Sequence, residues 1–141
     1  EPLHPMYAAD RAVVSTLAQA LDLAAAHPPT TVATAVDTFH LWWDPDLPAQ
    51  LARAGVEQRV AVYQVADWVT PIAADPLLAR GIPGDGHIDF GALTRLVAGT
   101  GYVGDIECEV FRQDVWDADP LEVARRVAAV HETLIAPFLG G

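Results

Sequence analysis

Four times along 141 residues, a run suited to a β-strand gives way to a run suited to a helix. That alternation restricts the fold severely, because consecutive strand–helix pairs demand parallel strands joined by right-handed crossovers. Glu1–His4 reads as the end of a first strand. Val13, Leu17, Ala20, Leu21 and Ala24 recur at helical spacing and predict a helix over Ala8–Ala26, stopped by Pro28-Pro29. Thr31–Phe39 is rich in β-branched residues and reads as a buried strand. Asp46–Ala54 is a short helix with Gly55 at its C-cap, and Arg59–Ala66 is the next strand. A stretch punctuated by Pro and Gly follows, from Asp67 to His87. Asp89–Ala98 reads as a helix, Gly99–Gly104 as a turn, and Val103–Phe111 as a strand. Pro120–Leu139 is a long helix that Asp119 can cap.

Four units in 141 residues is about 35 residues per unit, against about 31 in a (βα)8 barrel of roughly 250 residues. That period predicts an α/β domain spanning residues 1–141, built of four consecutive βα units with parallel strands: the C-terminal half of a (βα)8 TIM barrel. A small doubly wound sheet is the alternative, but no glycine-rich phosphate turn follows the first strand. Half a barrel has two open strand edges. Either copies of the chain associate as a homo-oligomer, or the chain belongs to a protein of roughly 250 residues. The sequence opens on Glu1 rather than methionine, as processing or truncation would each produce.

Charge narrows the partners. Nineteen acidic residues against eight basic ones give a net charge of −11 and an isoelectric point near 4.5. This disfavours nucleic acid and anionic membrane surfaces. All eight basic residues are arginine, and the chain has neither lysine nor asparagine. A lysine Schiff base, a Walker-type phosphate lysine and N-glycosylation are therefore excluded in this segment. The longest uncharged stretch, Leu23–Val36, contains Pro28 and Pro29 and falls short of the about 20 apolar residues of a membrane span. Cys108 stands alone, which excludes an internal disulfide and a cysteine-rich metal cluster. With no secretory leader at the start of the sequence, a cytoplasmic location is expected.

Ligands of parallel α/β folds bind at the carboxyl ends of the strands. The first strand end offers Glu1 and His4, the second Asp37 and His40, the third Gln64 and Asp67, the fourth Glu107 and Glu109. Carboxylates inside otherwise apolar strands are costly unless a cation or partner compensates, so this convergence points to a metal site. Plainer readings stand beside it. Glu1 is a loose terminus, Asp37 caps the following turn, and Asp67 merely starts its loop. Glu107 pairs deeper in the barrel with an arginine such as Arg59. Arg80 sits in a surface salt bridge, or else binds a substrate hydroxyl or phosphate. Trp42, Trp43 and Trp68 wall a sugar pocket or pack between loops. Cys108 faces the helices as an inert packing residue.

The strings Glu1-Pro2-Leu3-His4, Asp37-Thr38-Phe39-His40, Pro83-Gly84-Asp85-Gly86-His87-Ile88-Asp89-Phe90 and Gly101-Tyr102-Val103-Gly104-Asp105-Ile106-Glu107-Cys108-Glu109 occur in that order. Together they resemble the xylose isomerase-like superfamily of sugar isomerases and epimerases, including ketose 3-epimerases, hydroxypyruvate isomerase and inosose dehydratase, over the last four βα units of its barrel. The resemblance implies one divalent cation held by Glu1, Asp37, Gln64 and Glu109. Gln64 stands where that family usually has histidine. An amide with three carboxylates favours Mn²⁺ or Mg²⁺ over Zn²⁺ or Co²⁺. The resemblance further implies Glu1 and Glu109 as the catalytic acid/base pair and His40 as a substrate contact, with His4, Arg80 and Trp68 as further candidates. The chemistry implied is proton transfer through an enediolate of a sugar or sugar phosphate, giving isomerisation or epimerisation. Dehydration of a polyol-derived ketone and a catalytically silent sugar-binding module are the alternatives. The superfamily's apurinic endonucleases fit poorly with a charge of −11.

Overall fold

The computed structural model describes residues 1–140. Residues 1–4 form no strand there; the Leu3 N–H donates instead to the Val14 carbonyl at 3.0 Å. Helix α1 spans Leu17–Ala24 and begins later than apolar spacing predicts. A capping box decides its start: the Thr16 hydroxyl accepts the Gln19 N–H, and the Gln19 side chain accepts the Thr16 N–H. Residues 8–16 therefore lie outside the helix, and Val13 is exposed.

Strand β1 (Thr34–Asp37) runs directly into the single turn of α2 (Thr38–Leu41), and α3 (Leu47–Val56) follows. Helix α3 passes through Gly55 instead of stopping there. A Cβ on Gly55 would stand 2.8 Å from the Thr100 Cα, so glycine permits α3 to approach the 99–104 turn. The left-handed residue after the helix is Gln58, with φ of 55°. Strand β2 (Val60–Val65) leads to β3 (Asp67–Trp68), and β4 (Arg80–Gly81) pairs antiparallel with β3. The Pro- and Gly-rich stretch is thus built around a two-stranded ladder. It continues into α4 (Phe90–Ala98), β5 (Ile106–Cys108), α5 (Gln113–Asp117) and α6 (Pro120–Val130). Asp119 caps α6 through the N–H groups of Leu121 and Glu122, and wider and then tighter turns carry the chain to Phe138.

The main sheet is parallel in the order β1–β2–β5. Its register aligns Asp37 with Gln64 and Gln64 with Glu107, so three polar residues from three strands form one row. Val36, Tyr63 and Val65 belong to the apolar core beneath α1, α3 and α4, together with Leu17, Leu21, Leu51 and Val97. Ile106 and Cys108 pack against the same core. Because side chains alternate along a strand, Asp37, Gln64, Glu107 and Glu109 occupy the opposite face. A second cluster, Tyr7, Phe39, Ala66 and Ala79, lies at the carboxyl end of the sheet.

Arg59 does not pair with Glu107. It immediately precedes β2 at the far end of the sheet, where its guanidinium donates to the carbonyls of Val32 and His27, while Glu107 accepts from the Gln64 amide at 3.0 Å. No helix among the described residues is long and apolar enough to cross a membrane.

Candidate metal centre

Asp37 closes β1, and His40 follows three residues later within the turn of α2, a spacing that puts both side chains on one side. Both are buried. One Asp37 oxygen, Oδ1, accepts the Phe39 N–H at 2.8 Å, so Asp37 does cap the turn. Its other oxygen, Oδ2, faces His40 Nε2 at 3.9 Å, and a Glu1 oxygen lies at the same distance from that nitrogen. Glu1, Asp37 and His40 each offer one ligand atom, and these atoms all lie within 4.8 Å of one another.

Arg80 enters this group from the β3–β4 ladder. It is a buried residue, not a surface ion pair. Its Nη1 donates to Asp37 Oδ2 at 2.6 Å and lies 3.0 Å from Glu109 Oε2, while Nη2 stands 2.9 Å from His40 Nε2. The guanidinium lies over the rings of Phe39 and Phe111, 5.0 and 5.5 Å from their centroids. Burial pushes the Asp37 carboxyl up to about 6, against the opposing pull of Arg80. Burial also holds His40 down to about 3, helped by the positive charge of Arg80, so its imidazole is neutral. Glu1 is raised, chiefly by burial, and the neighbouring Glu109 adds to that shift.

Gln64 lies outside the group of three. Its amide nitrogen is committed to Glu107, and its Oε1 is buried without a hydrogen-bond partner. Glu109 joins the centre through Arg80. His4, Trp43 and Trp68 form an aromatic wall beside it, with His4 4.7 Å from the Trp68 ring and 5.7 Å from the Trp43 ring. The Trp43 indole N–H donates to the His40 carbonyl at 2.8 Å and fixes that side of the turn.

Two features go beyond the reading of the sequence. The resemblance gave His40 as a substrate contact; the geometry also makes it a candidate ligand beside Glu1 and Asp37. Asp67 is the anchor of the loop that delivers Arg80. Its buried carboxylate accepts the N–H groups of Trp68, Gly84, Gly86 and Ile88 at 2.7–3.0 Å. A Cβ on Gly86 would stand 2.1 Å from the Trp68 carbonyl oxygen, so the Pro83-Gly84-Asp85-Gly86 string is the chain wrapped tightly around Asp67. The sequence signal was an aspartate closing a strand, followed by closely spaced glycines.

Two carboxylates and a neutral imidazole converging in this way form a donor set that suits a divalent cation. Carboxylates favour Mg²⁺ and Mn²⁺, and imidazole brings Zn²⁺ within range. A sequence profile of the xylose isomerase-like TIM barrel matches residues 2–133. Among solved structures, a protein from Sinorhizobium meliloti 1021 superposes with a TM-score of 0.88 at 42% identity, over 95% of this chain and 48% of its own. A xylose isomerase domain protein from Alicyclobacillus acidocaldarius subsp. acidocaldarius gives a TM-score of 0.78 at 27% identity, over 99% of this chain and 50% of its own. The IolI protein, solved with a zinc atom, has a TM-score of 0.74 at 20% identity over 91% of this chain and 46% of its own, a likeness of fold. No curated protein matches the chain significantly. The chain spans about half the length of these structures.

Proposed function

This chain belongs to the xylose isomerase-like TIM-barrel family, and from that premise we propose that it carries the metal-binding half of a divalent-metal-dependent isomerase or epimerase of sugars or sugar phosphates. One observation carries the reading: Glu1 and the Asp37–His40 pair, from two separate parts of the chain, bring donor atoms within 4.8 Å of one another at the carboxyl end of a parallel sheet. Glu1, Asp37 and Glu109 would hold the cation. His40 would serve as imidazole donor or substrate contact, and the partnerless Gln64 Oε1 is an oxygen available in the same row. Mn²⁺ or Mg²⁺ suits the carboxylates, and the zinc of the IolI protein supports a cation on this fold.

A bound cation supplies Lewis-acid polarisation of the substrate carbonyl. The proton transfers fall to Glu1 and Glu109. One carboxylate takes the proton from the carbon beside the carbonyl, and the other returns a proton to the opposite face for epimerisation or to the neighbouring carbon for isomerisation. The two environments differ, as separate acid and base roles require. Glu1 stands beside Asp37 and His40, whereas Glu109 lies against Arg80. His40 Nε2, which faces Arg80 Nη2 at 2.9 Å, is the ring nitrogen that would turn to a substrate oxygen. Trp43, Trp68 and His4 offer an apolar wall for the C–H face of a sugar.

Glu109→Gln in the full-length protein tests the reading. It should abolish turnover of ketose or aldose substrates while leaving the circular-dichroism spectrum unchanged. A fully active variant would refute the acid/base assignment. A new unsaturated-carbonyl absorbance in the products would identify dehydration instead.

A further inference from the structure

Arg80 already holds the oxygens that a cation at this centre would need. Its Nη1 lies 2.6 Å from Asp37 Oδ2 and 3.0 Å from Glu109 Oε2. We propose that Arg80 sets the metal affinity of the site by competing with the dication for Asp37 and Glu109, and that loading the metal moves the guanidinium off Asp37. This inference rests on the metal reading above.

Three features of the Arg80 seat support it. The first is charge. A dication on the same carboxylate oxygens would lie a few ångströms from a guanidinium that cannot shed its proton, and at a buried position that repulsion is weakly screened. The second is the valence of His40. Its Nδ1 receives the His4 N–H at 3.1 Å, while its Nε2 faces Arg80 Nη2 at 2.9 Å. A neutral imidazole accepts at one nitrogen only, so one of these contacts sets N–H against N–H. The third is the Arg80 Nε, which is buried without an acceptor. Two carboxylates thus hold a side chain whose other donors are poorly served.

The backbone does not share this frustration. Trp68 and Arg80 are paired in the β3–β4 ladder, and Asp67 ties down the loop that follows. The movement therefore belongs to the Arg80 side chain alone. A rival role, in which Arg80 merely orders the carboxylates for the metal, has the opposite consequence when the residue is removed.

Calorimetric titration of Mn²⁺ into the full-length protein and its Arg80→Met variant, at about pH 8 where carboxylates are normally ionised, separates the two. Competition means that the variant binds Mn²⁺ tighter, by about tenfold or more, because a weakly screened positive charge beside the cation is gone. Equal or weaker binding by the variant overturns the role given to Arg80 while leaving the metal site standing. Absence of binding by both proteins overturns the metal reading itself. A crystal structure of the unaltered protein with Mn²⁺ gives a second decision even if the variant does not fold. The contact between Arg80 and Asp37 should open beyond about 3.5 Å. A contact still at hydrogen-bond distance, with Mn²⁺ on Asp37, would overturn the inference.

Discussion

Asp37 and Arg80 stand 43 positions apart in the sequence and meet at 2.6 Å where neither side chain is open to solvent. Their backbones arrive from different strands, β1 and β4, so the pair locks the Arg80 ladder onto the end of the main sheet. Removing one partner of a buried ion pair strands the other charge, which is where most of the cost arises.

Asp37→Asn isolates that charge. The amide oxygen can still accept the Phe39 N–H, so the cap survives while the counter-charge of Arg80 is reduced to Glu109. Unfolding in urea should show a loss of about 3 kcal/mol. A loss below about 1 kcal/mol would mean that Glu109 alone satisfies the guanidinium.

The loop from Arg80 to Asp89 should depend on two residues at its inner side. Asp67→Ala leaves four backbone N–H groups without their acceptor, and Gly86→Ala drives a methyl into the Trp68 carbonyl. Each variant should lose about 2 kcal/mol or more, at roughly 1–3 kcal/mol per buried orphaned donor. Limited proteolysis should then cut within 81–89. Uncut loops in both variants would show that the loop is held from elsewhere.

Inside the helix-side core, the Tyr63 hydroxyl and Thr94 hydroxyl share a hydrogen bond of 3.0 Å with no solvent access to either residue. Tyr63→Phe orphans the threonine and should cost about 1–2 kcal/mol. Adding Thr94→Val removes the orphan, so the double variant should recover part of that loss. A double variant weaker than the sum of the singles would contradict the pairing.

Cys108 is half-buried against the core, and burial pushes its thiol up to about 11. Because the thiolate is the nucleophile, alkylation by iodoacetamide should be slow at neutral pH and rise roughly tenfold per pH unit well past pH 9. A rate that levels off near the ordinary thiol range, about 8.5, would show an unburied cysteine.

The parallel architecture was legible because it rests on patterning. β-Branched runs at Thr31–Phe39 and Arg59–Ala66 contain β1 and β2, and Asp119 and Asp89 do cap their helices. The start of α1 was not legible from apolar spacing, because the capping box at Thr16 overrides the alanine-rich composition before it. Asp37 and His40 could be placed at the end of β1 from strand position alone, whereas Glu1 was placed on a strand that residues 1–4 do not form. What lay out of reach was which side chain satisfies which. Gln64 turns to Glu107, and Arg80 turns inward to Asp37, because of register between strands and a ladder hidden in a Pro- and Gly-rich stretch. Those relationships arise between distant segments and leave no local periodicity to read.

The most direct test follows the proton. Full-length protein, Mn²⁺ and a panel of ketoses and aldoses are incubated in D₂O, and ¹H NMR reads the carbon beside the carbonyl. Carboxylate acid/base chemistry at the centre predicts deuterium incorporation at that carbon, dependent on the cation and lost in Glu109→Gln. Incorporation that persists unchanged with the cation chelated, or none with any sugar of the panel, would contradict it.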